Sequence, residues 1–302
     1  MPTVEIPVAS VLRSHLAWLD NPANGTQADL SGNTLNEATL ANAKLSRAIL
    51  FQSTFLDANL AQADLSGANL EEADLQRANL ASADLTGAKV SQSNFSGAYL
   101  QGANLSEMSG ARVTFRRARM EKVRMLDVSL QNTSFQEIAG GAICFHQARF
   151  YDVDFRGSDL TGAQFYHARL QHVRFADVRA ADSTFNGSKL DHCDFSRAEL
   201  NGTKFSRVES IQCNFRQARL RECDFRDARL RGGDFSGAVL TGCRFAGAQL
   251  QTVDFRGADL KGVRDLTQEQ LMQSLTDTGT TLPNGARGPY MRFSGAEKPK
   301  LS

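Results

Sequence analysis

Large apolar residues recur at every fifth position through most of the chain. From Leu30 to Leu260 these positions number 47, and 40 of them are Leu or Phe. We call each such position a centre. A small residue, most often Ala, stands two before the centre, and Asp or Asn often precedes it directly, as in Ala63, Asp64 and Leu65. No insertion or deletion shifts this register, which is typical of an internal repeat.

A period of five matches neither the 3.6-residue period of an α-helix nor the two-residue period of a flat strand. It predicts a chain that turns a corner every five residues, with the centre and the residue two before it pointing inward. Four corners close a coil of twenty residues, and successive coils pair as parallel strands do. The repeat therefore predicts about twelve coils, which at about 4.8 Å per coil would extend about 55–60 Å.

Centres that are twenty residues apart share a column of the coil, and two columns consist of Phe. One runs in steps of twenty from Phe115 to Phe255, and the opposite one runs from Phe145 to Phe245. We predict that their rings stack along two opposing walls. Where the centre lacks a large side chain, a larger residue stands two before it and keeps the core volume, which favours repacked coils over ligand pockets. These pairs are Met108 with Gly110, Ile138 with Gly140, Val178 with Ala180, and Val208 with Ser210.

The stretch ADLSGANLEEADLQRANLASADLTGA, residues 63–88, resembles the pentapeptide-repeat proteins, whose motif is small–Asp/Asn–Leu/Phe–polar–Gly. The resemblance covers roughly three quarters of the chain. It implies an all-β solenoid, namely a right-handed quadrilateral β-helix. The family includes plasmid quinolone-resistance proteins and a mycobacterial gyrase inhibitor, whose acidic rods resemble B-form DNA in size and charge. The present chain departs from them because it is not acidic throughout and lacks the loops that interrupt the plasmid proteins.

The sequence predicts capping segments at both ends of a repeat domain that spans residues 26–265. Residues 1–25 form the N-terminal cap, with a helix over 8–20 that Asn21 and Pro22 end. The apolar face of this helix is predicted to cover the first coil, and His15 is interpreted as an ordinary polar residue. The apolar residues at helical spacing are Val8, Leu12, Leu16 and Leu19.

Residues 266–302 are interpreted as a C-terminal capping or dimerisation helix followed by an extended tail. Thr267 and Gln270 predict a capping box, and Leu266 with Leu271 a hydrophobic staple. The helix is predicted to run over 268–275, and the tail over 276–302 to be disordered after Gly288. The candidate cap or homodimer contacts are Leu271, Met272 and Leu275.

Composition narrows the classes of protein. The net charge of +1 argues against a partner held by charge alone, and no apolar stretch approaches the ~20 residues of a transmembrane helix. The start of the chain lacks the basic and apolar regions of a secretory signal, so we expect a cytoplasmic protein. No cofactor motif appears, and a core filled by Leu and Phe has no room for a reaction, so we expect no enzymatic activity.

Cysteine and histidine offer weak candidates for chemistry. Four cysteines replace Ala at the inward small position, where their twenty-residue spacing would permit disulfides by distance, but we interpret them as buried structural residues. Cys144 points outward as a free thiol. His172 and His192 are twenty residues apart with Asp152 one coil below, yet three side chains in one line do not enclose a metal ion. The four inward cysteines are Cys193, Cys213, Cys223 and Cys243.

Charge divides the chain into two parts. Residues 26–110 contain 9 acidic and 4 basic residues, whereas residues 111–265 contain 19 acidic and 25 basic residues. The basic stripe predicted in the second part consists of Arg149, Arg169 and Lys189. The candidate partner-binding acidic surface in the first part consists of Asp64, Glu71, Glu72, Asp74 and Asp84.

Three functions are compatible with these patterns. The resemblance implies a DNA-mimicking binder of DNA gyrase or topoisomerase IV that modulates the enzyme or protects it from quinolones or toxins. The alternative is a general protein-interaction scaffold or effector. Direct nucleic-acid binding through the basic stripe is the weakest, because no groove-reading motif appears. Cross-coil ion pairing would also account for the charges without any partner.

Overall fold

The computed structural model describes residues 8–299 of a chain that forms two compact units. Unit 1 is Met1–Phe135 and unit 2 is Gln136–Ser302. Each unit is an all-parallel β-solenoid, as successive bridges from Asp29 to Ser129 and from Arg149 to Gln249 show. The predicted solenoid is thus confirmed. The total of twelve coils, the right-handed quadrilateral section and the domain boundaries stay predictions.

Regular secondary structure is sparse in both units. Unit 1 contains helix α1 (Val8–Asp20) and strands β1 (Ser109–Ala111) and β2 (Ser129–Gln131). Unit 2 contains strands β3 (Arg149–Tyr151), β4 (Arg169–Gln171), β5 (Lys189–Asp191), β6 (Glu209–Ile211) and β7 (Arg229–Arg231), and helix α2 (Gln268–Met272). Most of the remaining pairing consists of single parallel bridges between residues twenty apart.

Residues paired on successive turns form ladders, and three ladders matter below. In unit 1 the Asp64 ladder is Lys44, Asp64, Asp84, Asn104 and Arg124, and the Asp74 ladder is Thr34, Thr54, Asp74, Asn94, Thr114 and Ser134. In unit 2 the Arg149 ladder is Arg149, Arg169, Lys189, Glu209, Arg229 and Gln249. Each turn passes through four such ladders in succession, one every five residues. Two residues that are ten apart in sequence therefore lie on ladders that are two apart.

Tight turns between ladders explain the recurring glycine. At Leu65 the turn closes by a hydrogen bond from the Ala68 N–H to the Leu65 carbonyl, and Gly67 has φ +63°. The residue two after the centre adopts this left-handed conformation in both units, and glycine does so at the smallest cost. Polar residues such as Glu72, with φ +59°, also occupy the position.

The core of unit 2 consists of the two predicted phenylalanine stacks. Rings from Phe155 to Phe235 and from Phe145 to Phe245 stack in steps of twenty residues, with centroids 4.5–5.1 Å apart. The two columns also meet edge to face, as Phe185 and Phe195 do at 5.6 Å. Unit 1 is filled mainly by buried Leu and Ala, although Phe95, Phe115 and Phe135 stack there too.

The predicted exchange of volume at the small centres is confirmed at Gly140. A Cβ atom built there would lie 3.1 Å from Ile138 Cδ1, so the isoleucine fills the space that the centre leaves. The larger residues that stand two before the other small centres, Met108, Val178 and Val208, are also buried.

Helix α1 has the predicted bounds, but the prediction for His15 was wrong. His15 is fully buried, and its Nδ1 accepts the Ala28 N–H at 3.0 Å while its Nε2–H donates to the Ser46 carbonyl at 3.1 Å. The first turn has no turn before it, so these edge groups need another partner, and the imidazole provides it. Leu16, predicted to cover the coil, is instead 48% exposed.

Helix α2 begins with the predicted capping box but is shorter than predicted. The Thr267 hydroxyl accepts the Gln270 N–H, and the Gln270 amide oxygen accepts the Thr267 N–H at 2.6 Å. The helix ends at Met272 because the chain returns to solenoid pairing, with Leu275 bridged to Asp254. The other end of the Gln270 amide donates to the Phe245 and Ala248 carbonyls, so this side chain caps the last turn.

The C-terminal segment is folded where the structure describes it, contrary to the predicted disorder after Gly288. Thr281 bridges Asp259 and also pairs antiparallel with Arg287. Tyr290 donates its hydroxyl to Glu297 at 3.0 Å, and burial together with this bond raises the pKa of Tyr290 to about 12. Residues 300–302 lie outside the described part of the chain.

Candidate interaction surfaces

The candidate acidic surface is divided between different faces of unit 1. Asp64 and Asp84 occupy neighbouring rungs of the Asp64 ladder, whereas Asp74 lies two ladders away. Glu71 and Glu72 lie on the turn that precedes Asp74. The five residues therefore do not form one contiguous patch, and their role in partner binding stays a prediction.

Two aspartates of this set, Asp64 and Asp84, use one oxygen for the fold, whereas both oxygens of Asp74 accept hydrogen bonds from Gln76. Asp64 Oδ1 accepts the Ser66 N–H and hydroxyl, and Asp84 Oδ1 does the same for Thr86. Such Asx turns hold the residue after each centre. In the described residues, no hydrogen bond to protein reaches Oδ2 of Asp64 or Asp84, and no Lys or Arg pairs with either carboxylate. Each side chain thus leaves an uncompensated negative charge at the surface.

Glu72 belongs to a column of polar side chains at the turns. Its carboxylate accepts the Gln52 amide at 2.8 Å and the Gln92 amide at 3.3 Å from the turns on either side. Neither amide carries a positive charge, so the two glutamines donate hydrogen bonds to Glu72 without forming an ion pair.

The predicted basic stripe lies on one face of unit 2. Strands β3, β4 and β5 pair in register, so that Arg149, Arg169 and Lys189 form consecutive rungs with exposed side chains. Lys189 pairs with Glu209 at 3.1 Å, and Glu209 also contacts Arg229 at 3.6 Å. Arg149 and Arg169 form no ion pair within the described residues. Their assignment as a binding stripe stays a prediction.

Elsewhere in unit 2 the charges are largely paired across turns. Asp177 and Arg197 are 2.7 Å apart, and Glu199 and Arg219 are 3.1 Å apart, each pair twenty residues apart in sequence. These contacts are ion pairs between successive turns, and they account for these surface charges without a binding partner. Surface pairs of this kind contribute little to stability individually.

Asp154 is the most buried of these paired carboxylates. Its oxygens accept the Arg156 guanidinium at 2.7 Å and the Gln136 amide at 2.9 Å, with Arg174 at 3.5 Å. Burial raises the pKa of Asp154, but the hydrogen bonds from Arg156 outweigh burial and hold the pKa below its usual 3.8. Asp154 therefore remains ionised at neutral pH.

The two predicted histidines do stack. The rings of His172 and His192 are 5.2 Å apart, and Tyr151 meets His172 edge to face at 5.8 Å. His192 Nδ1 lies 2.6 Å from the Asp191 carboxylate, and this bond raises the pKa of His192. Asp152 instead pairs with Arg174 at 3.0 Å. No three His, Cys, Asp or Glu side chains within the described chain are placed to hold a metal ion.

Sequence reasoning overlooked the exposed Tyr151, which places an aromatic ring beside the basic stripe. Its position directly after a centre would have indicated that the ring points outward. The exposed Met291 and Phe293 near the C-terminus were also overlooked, because the tail was expected to be extended.

All four inward cysteines are buried free thiols, as predicted. Cys223 donates to the Leu200 carbonyl at 3.0 Å and Cys243 to the Leu220 carbonyl at 2.8 Å. Burial raises the pKa of the Cys193 and Cys223 thiols, which disfavours the reactive thiolate. Cys144 is half-buried and free of disulfide.

The fold defines a repeat solenoid of stacked twenty-residue turns, and the comparisons with known proteins identify its family. A model described as pentapeptide repeats (8 copies) matches residues 23–50, 55–92, 93–136, 211–237 and 223–262, and one described as a pentapeptide repeat region matches 140–205. The chain belongs to the pentapeptide-repeat family. Neither model describes a catalytic family, and no curated protein matches the chain.

Solved pentapeptide-repeat structures are similar to this chain over much of its length. HetL from Nostoc sp. strain PCC 7120, involved in heterocyst differentiation regulation, has 20% identity over 94% of this chain and 100% of its own, with a TM-score of 0.26. Full-length QnrB1, a plasmid-mediated fluoroquinolone resistance protein, has 14% identity over 85% of this chain and 92% of its own, with a TM-score of 0.25. Similarity at these sequence identities and TM-scores does not indicate a function for this chain. In addition, none of the described helices is long and apolar enough to cross a membrane.

Proposed function

We propose that this protein is a non-catalytic binding protein that docks another protein against the outer faces of its turns. The supporting observation is the surface of unit 1, where Asp64 and Asp84 present unpaired carboxylates on neighbouring rungs. Uncompensated charge of one sign attracts a surface of the other sign and raises the rate of encounter. A basic protein surface is therefore the complementary partner.

The specific partner we propose is the DNA-binding surface of DNA gyrase or topoisomerase IV. Such a surface is basic because it binds phosphates, and carboxylates repeated along a stack of turns can replace them. The proposal implies a cytoplasmic protein that modulates the enzyme or protects it from quinolones or toxins. Direct binding of nucleic acid is not part of it.

A general interaction scaffold is the second candidate, and the distribution of charge favours it. Asp74, Glu71 and Glu72 lie on other faces than Asp64 and Asp84, and most charges of unit 2 are paired internally. A partner recognised by shape would need no continuous acidic face.

A supercoiling assay distinguishes the two candidates. Added protein should change gyrase supercoiling or raise the tolerated quinolone concentration, and Asp64→Asn with Asp84→Asn should weaken the effect while keeping the turn-capping oxygens. Asp182→Asn with Asp227→Asn, an equal charge change in unit 2, is the matched control. No effect at protein excess would reject the topoisomerase proposal and leave the scaffold.

We also propose a homodimer through the C-terminal segment. Met272 and Leu275, both about half exposed, lie on or just after α2, whereas Leu271 is buried and belongs to the cap. Met272→Asp with Leu275→Asp should yield a monomer by light scattering at high salt, with Leu16→Asp as the control at another exposed leucine. A dimer that persists in the first variant would contradict this proposal.

A further inference from the structure

We propose that a second copy of this chain docks its Arg149 ladder against the Asp64 ladder of the first. This association uses the same two carboxylates as the topoisomerase proposal but requires no topoisomerase, and it does not involve the C-terminal dimer contacts. It rests on two sets of surface charges that form no ion pair within residues 8–299. It also rests on a rung spacing that the two sets share.

The two faces carry opposite unpaired charges. Oδ2 of Asp64 and of Asp84 accepts no hydrogen bond from the described residues, and the exposed guanidiniums of Arg149 and Arg169 form no ion pair among them. Guanidinium and carboxylate form the strongest charge-assisted hydrogen bonds available at a surface, because their donors and acceptors match in geometry. Most other guanidiniums near a carboxylate in unit 2 already use this geometry within the chain.

The spacing of the charges matches because both ladders are built on paired turns. Asp64 and Asp84 are directly bridged, as are Arg149 and Arg169, so each pair is one rung apart, or about 4.8 Å. Two stacks lying side by side can therefore bring both pairs together at once. Every ladder of the chain has this spacing, so the sign and order of the charges select these two ladders.

The remaining rungs select one alignment of the two stacks. With Asp64 opposite Arg149 and both stacks running in the same direction, Arg124 falls opposite Glu209. The intervening rung sets neutral Asn104 opposite Lys189, so no like charges meet. With the stacks reversed, so that Asp64 faces Arg169, Lys44 falls opposite Lys189, which is repulsive. The same-direction alignment is therefore favoured.

The contact is heterologous, since it joins different faces of the two copies. Each copy keeps one unused face of each kind, so association does not stop at two copies unless the geometry closes a ring. We expect weak assembly that grows with protein concentration and falls with salt, because exposed charges are screened within about 10 Å at 0.1 M ionic strength.

Sedimentation velocity with charge-reversed variants tests the proposal. The full chain should form larger species in roughly 20 mM NaCl and lose them in roughly 500 mM NaCl. Arg149→Glu with Arg169→Glu should abolish the association, as should Asp64→Lys with Asp84→Lys. An equimolar mixture of these two variants should regain it, because opposite charges then face each other at every contact between unlike copies.

Two controls keep the test decisive. Arg207→Glu with Arg221→Glu makes the same change of charge on other faces of unit 2 and should leave association unchanged. Asp64→Asn with Asp84→Asn keeps the turn caps and should also abolish association, which separates lost charge from lost folding. Growth beyond a dimer that is insensitive to salt, absent in the full chain at low salt, or not restored in the mixture would overturn the proposal.

Discussion

Units 1 and 2 use the same backbone pairing with different cores and different surfaces. Unit 1 packs mostly Leu over Ala and leaves carboxylates such as Asp64 and Asp84 unpaired. Unit 2 stacks Phe in two columns and pairs carboxylates with guanidiniums on the next turn, as at Asp177 and Arg197. The hydrogen bonds that join successive turns follow the same offsets in both units.

The difference teaches that backbone pairing alone defines the turn, while the side chains are interchangeable within their inward or outward class. Inward positions must be apolar and of the right total volume. Outward positions tolerate charges of either sign, so surface charge can differ between the units without a change of fold. Substitutions that exchange the features of the two units test this view.

The largest expected effect comes from breaking a phenylalanine stack. Phe195 lies between Phe175 at 4.7 Å and Phe215 at 4.9 Å, so Phe195→Ala removes two ring contacts and leaves a cavity. We expect a loss of about 3–5 kcal/mol, measured as faster amide exchange in the neighbouring turns. Phe195→Leu, which gives unit 2 the core of unit 1, should cost less than about 1.5 kcal/mol. Equal losses from both would show that Leu cannot replace a stacked ring and would contradict the view that inward side chains are interchangeable.

The second largest loss of stability is expected at the N-terminal cap. His15→Ala leaves the Ala28 N–H and the Ser46 carbonyl without their partner, which should cost about 2–3 kcal/mol locally. Trp18, the sole tryptophan, stacks on His15 at 5.5 Å, so its fluorescence reports this end of the chain. A variant whose Trp18 emission and thermal transition match those of the original chain would contradict the capping role.

This cap should also be sensitive to acid. Burial is the main cause that lowers the pKa of His15 below 6.5, so the folded state binds its proton less readily than the unfolded state. The stability from neutral His15 is therefore full above about pH 6.5 and falls as the pH drops toward the folded pKa. The Trp18 transition should weaken over this range in the original chain, and His15→Ala should remove the contribution of this residue.

A smaller effect is expected at the buried ion pair of unit 2. Asp154→Asn leaves Arg156 without its carboxylate, while Arg174 keeps Asp152 at 3.0 Å, and should cost about 1–3 kcal/mol at neutral pH. Since the pKa of Asp154 is lowered, its contribution is present above about pH 3.8 and is lost as the pH falls below that value. The gap in denaturation midpoint between variant and original should close in acid. Asp182→Asn, at an exposed position, is the control.

The smallest effect is expected where unit 2 has Cys and unit 1 has Ala. Cys223→Ala removes one buried sulfur and a weak hydrogen bond to Leu200, and should cost less than about 1 kcal/mol in thermal unfolding. A loss as large as that of Phe195→Ala would show that the cysteines do more than fill space.

Most of the fold could be predicted from the sequence because the repeat separates inward from outward positions at every fifth residue. The same twenty-residue arithmetic placed Arg149, Arg169 and Lys189 on one face. It also separates Asp74 from Asp64, which are ten residues apart, but acidic residues close in sequence were treated as one surface.

The ends could be predicted only in part, because they depend on the open edges of the solenoid. A histidine on a surface helix is usually exposed, and only the unpaired groups of Ala28 and Ser46 give His15 a buried role. Likewise, local helix preference favours α2 beyond Met272, but pairing of Leu275 with Asp254 ends it. Tertiary hydrogen bonds decide both cases.

Because paired positions are twenty residues apart, insertions of different lengths have different consequences during evolution. Within either unit, adding or deleting a whole turn leaves every later residue on its original ladder. An insertion of five residues also preserves the inward and outward classes, but it moves every later side chain to the next ladder. A lineage could therefore lose or redesign a binding face in one step while the protein stays folded.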